Sequence, residues 1–304
     1  MADFKPGLVH TPVTPFTRER RVDFDLYGRL IDFHLRNGAD SIALPMHAGE
    51  SVSLGDAERK SLLEFALKRV RGRVPVIAHV SQSGTGMAVA LARHAQQAGA
   101  AAIVATTPYY WTPPPGMLVE HFFQTGSAAR LPFFVWNAPD EMGGAKVTTE
   151  VAVKLIERLE NFAGVVDSSL DWQFMIEVIS TARRVRPDFQ LLSGTEYMIS
   201  AGAIGGTGVF SGLASVAPNT VRQLYDCCSR EQYGDGRKSQ EAIAALRQVV
   251  KNDGVAGLKG AMRAMGRDCG GPRPPLRPIG EEEYGRLSEA LAAMPALGAE
   301  PRGW

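Results

Sequence analysis

Residues 161–169 read NFAGVVDSS, an apolar run closed by an acid and two hydroxyls, and the fold turns on how this stretch is read. It lies between two segments with helical character, 149–160 and 171–185. A strand covered on both faces is apolar along its whole length, and a short apolar run bracketed by helices is how a strand of a buried parallel sheet reads. The run therefore behaves as one strand of a barrel, delivering its last residues to the mouth where such folds carry their sites.

The same alternation extends in both directions. Short apolar runs at 7–13, 41–45, 74–80, 101–106, 132–137, 162–166, 189–193 and 208–211 are separated by amphipathic stretches. That rhythm predicts βαβ units and a parallel sheet. Among the helices between them, 23–37 carries Leu26, Leu30, Ile31 and 33–35 on its apolar side. The helix 56–70 turns Leu62, Leu63, Phe65 and Ala66 inward, with Asp56 placed as its N-cap. Eight repeats can close on themselves, so the expected class is α/β, a (β/α)8 TIM barrel. No glycine-rich dinucleotide fingerprint follows the first strand, which counts against an open doubly wound sheet. After Ser215 the strand signal stops, and 218–235, 237–251, 255–265 and 281–294 read as helices. The expected division is a barrel over 1–217 and a C-terminal helical region over 218–304, with a poorly ordered tail from Pro295.

Composition narrows the class of function. The 304 residues carry 33 basic and 32 acidic side chains, a formal charge of +1, and 45% are hydrophobic. That balance gives no electrostatic reason to expect nucleic acid or an anionic membrane as partner. No apolar run approaches the roughly 20 residues of a membrane span, and the first residues lack a secretory signal. Three cysteines, two of them adjacent, form no disulfide framework, so free thiols and a cytoplasmic location are expected.

Ordered motifs follow the strands. The first strand ends in Thr14-Pro15-Phe16 and the second in Met46-His47-Ala48-Gly49-Glu50-Ser51. The fourth gives Thr107-Pro108-Tyr109-Tyr110, the fifth Trp136-Asn137-Ala138-Pro139 and the sixth Gly164-Val165-Val166-Asp167-Ser168-Ser169. The seventh and eighth give Leu192-Ser193-Gly194 and Gly206-Thr207-Gly208-Val209-Phe210-Ser211. In this order they resemble the dihydrodipicolinate synthase and N-acetylneuraminate lyase family of class I aldolases, over the chain to about Ala292. The resemblance implies the barrel, a small carbonyl substrate, no cofactor, and a homo-oligomer, dimer or tetramer.

Departures from the family pattern cluster where its chemistry occurs. Val166 stands where the family places its Schiff-base lysine, and an isopropyl group has no lone pair with which to attack a carbonyl. Trp136 replaces the tyrosine that relays protons in relatives; an indole donates one hydrogen bond and cannot shuttle a proton near neutrality. His47 and Ala48 take the two hydroxyl positions that hold a substrate carboxylate, and Glu141 takes that of a carboxylate-binding arginine.

Barrel geometry would bring Thr11, His47, Tyr109, Tyr110, Trp136, Glu141, Glu196 and Phe210 to one mouth, with Ala48 and Val166 beside them. His47, Tyr110 and Glu141 are the candidates for catalysis, the others for binding substrate. His47 alone titrates near neutral pH, and a neighbouring carboxylate would raise its pKa; its bland alternative is a hydrogen bond to a loop carbonyl. Glu141 is either a site group or a solvated loop acid, and Glu196 either a site carboxylate or the N-cap of the helix it begins. Tyr109 and Tyr110 either face the substrate or make a subunit contact, as one does in relatives. Trp136 shapes an aromatic-tolerant pocket. A metal held by His47, Glu141 and Glu196 has suitable donors and no tight ligand motif, so none is expected. Lys146, Lys154 and Lys259 read as surface or helix-partner lysines, and His79-Val80-Ser81-Gln82-Ser83-Gly84 offers hydroxyls without a nucleophile elbow.

Three readings remain open. One is a lyase acting on a small carbonyl or carboxylic substrate without an imine; the others are a non-catalytic binding or assembly protein and a conventional pyruvate-dependent aldolase.

Overall fold

The computed structural model describes residues 4–139 and 145–304. All eight expected strands are present: β1 Leu8–His10, β2 Ser41–Leu44, β3 Val76–His79, β4 Ala102–Thr106, β5 Phe133–Asn137, β6 Phe162–Asp167, β7 Gln190–Ser193 and β8 Gly208–Ser211. They pair in parallel in chain order, and β8 returns to β1 through Val9 opposite Phe210, so the sheet closes. Outside it run α1 Phe24–Arg36, α2 Asp56–Val70, α3 Thr85–Ala98, α4 Pro115–Ser127, α5 Thr149–Arg158, α6 Trp172–Val185, α7 Met198–Ala203 and α8 Pro218–Ser229.

Local chemistry starts several of these helices where the sequence predicts. Asp23 accepts from the Leu26 N–H at 2.9 Å, Thr148 from Val151 and Asp171 from Phe174, each satisfying an amide that the first turn leaves unpaired. At α2 the expectation needs correction. Asp56 is the first helical residue and not its cap; its carboxylate accepts from Gln82 at 2.6 Å, while Glu58 reaches back to the Gly55 N–H.

β6 is buried along nearly its whole length, with Val165 and Val166 both fully shielded. Its entry is held by Asn161, whose amide donates to the carbonyls of Gly126, Ala129 and Leu131. Gly164 has a steric reason: a Cβ there would lie 2.2 Å from the Gln190 carbonyl oxygen on β7. Alternate strand residues then fill the barrel, where Val9, Ala43, Val104, Phe134, Val166 and Leu192 form one cluster. Phe4 closes the amino-terminal end, edge-on to Phe134 at 6.2 Å. Outward-facing neighbours such as Ile42, Val135, Val165 and Leu191 belong to a larger cluster beneath the helices.

The C-terminal region forms α9 Tyr233–Lys251, α10 Gly254–Ala264 and α11 Glu281–Ala292, whose Leu246, Leu258 and Leu287 pack in one cluster with Leu8 and Val209. The tail is ordered, contrary to expectation. Leu297 is buried, Glu300 accepts from the Asn219 and Thr220 amides at the start of α8, and buried Arg267 donates to the Pro301 and Gly303 carbonyls. The tail thus fills the N-terminal cap of a helix lacking a side-chain cap of its own, which composition does not reveal. Cys227, Cys228 and Cys269 are free thiols. No described helix is long and apolar enough to cross a membrane.

Candidate functional site

A cavity of about 310 Å³ opens at the carboxyl end of the strands, between the barrel mouth and the C-terminal helices. Thr11, His47, Ala48, Trp136, Glu196 and Phe210 all line it, so six of the expected residues meet there. His47 is held at the rim by a tight turn in which the Glu50 N–H donates to the His47 carbonyl at 2.9 Å and the Gly49 N–H to that of Met46. Solvent reaches the His47 side chain. Among the described residues its ring has no hydrogen-bond partner. Enclosure by the mouth lowers its pKa from that of a free imidazole, the opposite of the rise expected from a carboxylate neighbour. At pH 7 the ring is therefore neutral and able to accept a proton.

Glu196 does not cap α7. Its carboxylate, 3% exposed, accepts from Ser211 Oγ at 2.8 Å, the Leu213 N–H at 3.1 Å and Arg247 Nη1 at 3.0 Å. A buried carboxylate needs donors and a countercharge, and β8 with its loop supplies the former while α9 supplies the latter. Its own carbonyl accepts from Gln240 on the same helix.

Trp136 is nearly buried, and its indole N–H donates to Ser168 Oγ at 2.8 Å. That hydroxyl occupies the space a side chain at Gly194 would need, since a Cβ there would lie 2.0 Å from it. Trp136 pairs in register with Val166, and Val166 with Leu192, so these three side chains share the barrel's inner face. Val166 does not line the cavity. Behind it Asp167 is buried with only neutral donors, Asn137 Nδ2 at 2.7 Å and the Ser169 hydroxyl and amide; burial outweighs them and pushes its carboxyl up to about 6.

The remaining expected residues lie elsewhere. Tyr109 is half-buried and its hydroxyl donates to Gln82 Oε1 at 2.9 Å. Tyr110 is 84% exposed, outside the cavity, with a left-handed backbone (φ 75°) and its ring edge-on to Trp111 at 5.0 Å. Glu141 lies outside the described residues. Among those described, no group of three His, Cys, Asp or Glu side chains could hold a metal.

A model of the dihydrodipicolinate synthetase family matches residues 5–294. The chain belongs to that family. Its sequence is 32% identical over 284 residues to the 4-hydroxy-tetrahydrodipicolinate synthase of Caldicellulosiruptor saccharolyticus, covering 92% of this chain and 93% of that one. The synthase of that name from an Azoarcus species is 32% identical over 290 residues, covering 94% and 97%. Among solved structures, the dihydrodipicolinate synthase of Aquifex aeolicus superposes with a TM-score of 0.89 at 28% identity, over 95% of this chain and 97% of that one. A prophage protein of the family from E. coli K12, solved in complex with pyruvate, also gives 0.89, at 26% identity over 95% and 98%.

Family motifs do not single out three contributors to this site. Arg247 and Lys251 line the cavity from α9, far along the chain from any barrel strand. His79 lies inside the barrel top, edge-on to Trp136 at 5.8 Å with Nε2 at 2.6 Å from Ser81 Oγ. Burial holds its pKa well below the ordinary imidazole value, and it is near enough to His47 that charge on either opposes charge on the other. The i, i+4 spacing of Arg247 and Lys251 was the one available signal, and on a polar helix it reads as solvated surface.

Proposed function

We propose that this family member is a lyase acting on a small carbonyl or carboxylic substrate without an imine at position 166, with His47 as its acid/base group. The observation that carries the reading is the hydrocarbon at the centre of β6: Val166 is fully buried beside Trp136 and Leu192, where a nucleophilic amine would be needed. Without covalent capture, catalysis rests on orienting the substrate and moving a proton. A neutral imidazole at the rim of a largely apolar cavity suits proton abstraction beside a carbonyl or return of a proton to a leaving carbon or oxygen. Retro-aldol cleavage, hydration and dehydration all fall within that chemistry.

Lys259 is poorly suited to stand in for the missing amine, because its ammonium is 3% exposed and bonded to Glu50 at 2.7 Å. Lys251 does line the cavity, and the shared name of the two synthases favours a conventional pyruvate aldolase as the second reading. Pyruvate with borohydride, followed by mass spectrometry, separates the two: no covalent gain is expected, and a stable adduct on Lys251 or any other lysine would overturn the first. In the same preparations His47→Ala should lower turnover about 10²- to 10⁴-fold. The wild-type pH-rate profile should lose activity on the acid side only below about pH 6.5, as the imidazole charges.

The partners that go with this reading are a small-molecule substrate and further copies of the chain, as a dimer or tetramer, in the cytoplasm. Exposed Tyr110 and Trp111 support the assembly, being a surface aromatic pair of the kind a neighbouring copy covers.

A further inference from the structure

We infer that the α9 wall of the cavity is an oxyanion subsite, in which Arg247 and Lys251 receive a carboxylate or phosphate of the substrate. The inference rests on the cavity being the substrate site, as proposed above, and adds the chemical class of what enters it. Residues four apart on a helix lie on one face, and both of these cations face the same cavity. Like charges so placed disfavour each other unless an anion lies between or beside them. Glu196 matches only one of them. It reaches Arg247 through a single guanidinium nitrogen, and its other oxygen is taken by Ser211 and Leu213.

Among the described residues the ionisable groups on the lining are His47, Glu196, Arg247 and Lys251, so with a neutral imidazole two cations stand there against one carboxylate. Arg247 is 28% exposed and its guanidinium lies 5.8 Å from the Tyr197 ring, which helps to fix its orientation; among the described residues its other donors meet no acceptor. Much of the remaining wall is apolar, from Met46, Trp136, Phe210, Leu213 and Leu258. Such surroundings strengthen a charge pair by lowering the local dielectric. The fitting ligand is thus an amphipathic acid, with an apolar body against Trp136 and Phe210 and an oxyanion at α9. Elsewhere on the lining His47 and Ala48 present no side-chain hydroxyls for a carboxylate, so the cationic wall is where an acid group is best received.

Calorimetric titration of the full chain with phenylpyruvate, its methyl ester and phenyl phosphate tests this directly. At least one anion should bind about tenfold or more tightly than the ester, and the tighter of the two identifies the headgroup. Lys251→Glu, at an exposed position that leaves the fold intact, should weaken the anion by about tenfold or more and leave the ester unchanged. The double variant Arg247→Met/Glu196→Gln removes the other cation without stranding a buried charge and should also weaken the anion. Equal binding of anions and ester, wild-type anion affinity in Lys251→Glu, or no binding at millimolar concentration would overturn the subsite. Because titration reads binding without turnover, a protein inactive on every carbonyl would sink the proposed reaction and leave this result standing.

Discussion

Glu50 and Glu196 are both buried carboxylates near the top of the barrel, and both are neutralised by a cation from the C-terminal helices, yet they are built for different ends. Around Glu50 the ion pair itself is sealed. Lys259 on α10 donates to it at 2.7 Å with the ammonium 3% exposed, the Arg273 amide donates at 2.8 Å, and the Arg273 guanidinium grips Glu58 through two hydrogen bonds. Phe16 lies under both cations, 4.6 Å from the Lys259 ammonium and 4.4 Å from the Arg273 guanidinium. This group rivets the C-terminal segment to the loop that carries His47. Around Glu196 the carboxylate is equally buried, but its arginine is 28% exposed and faces the cavity. A shut ion pair fixes position; one with an open cation can also meet a ligand. Asp167 completes the contrast: buried with no cation beside it, its carboxyl is pushed up to about 6.

Removing the cation should break the two pairs unequally. Lys259→Met leaves Glu50 buried with its amide donor alone and should cost about 3–5 kcal/mol in urea unfolding. If the loss were below about 1 kcal/mol, the rivet would not be structural. Arg247→Met should cost less, about 1–3 kcal/mol, because Ser211 and the Leu213 amide still serve Glu196; adding Glu196→Gln should recover much of it.

The acid without a cation sharpens the comparison through pH. Its folded pKa lies above that of an unfolded aspartate, so the folded state binds the extra proton between about pH 4 and 6, and stability falls as pH rises through that window. Urea midpoints of the wild type against Asp167→Asn should diverge across the window by about 2 kcal/mol or less and run parallel above it. A constant difference from pH 4 to 8 would remove Asp167 as the source. The smallest effect belongs to Lys251→Glu, where an exposed side chain without a buried partner should change stability by no more than about 0.5 kcal/mol. That near-silence is what lets the variant report on ligand charge alone.

Much of the architecture is legible in consecutive residues. Burial on both faces makes β6 apolar from Phe162 to Val166, short apolar runs and helical spacings place the other strands and helices, and Asp23, Thr148 and Asp171 stand at helix starts with side chains that accept the first free amides. Val166 within the sixth strand and His47 at the second strand's end are likewise written in order along the chain. Tyr110 shows where this ends: its place in a motif puts it after β4, but its left-handed backbone carries the ring to the surface and out of the single-chain cavity.

What the chain alone determined is therefore the succession of eight βα units and which residues stand at the strand ends, because each depends on side chains a few positions apart. Only the folded molecule decided that α9 would lean over the mouth and set Arg247 against Glu196 and Lys251 beside it. That pairing joins residues 51 positions apart through the packing of Leu246 and Leu258 on Leu8 and Val209, and no local periodicity records a contact made across a core.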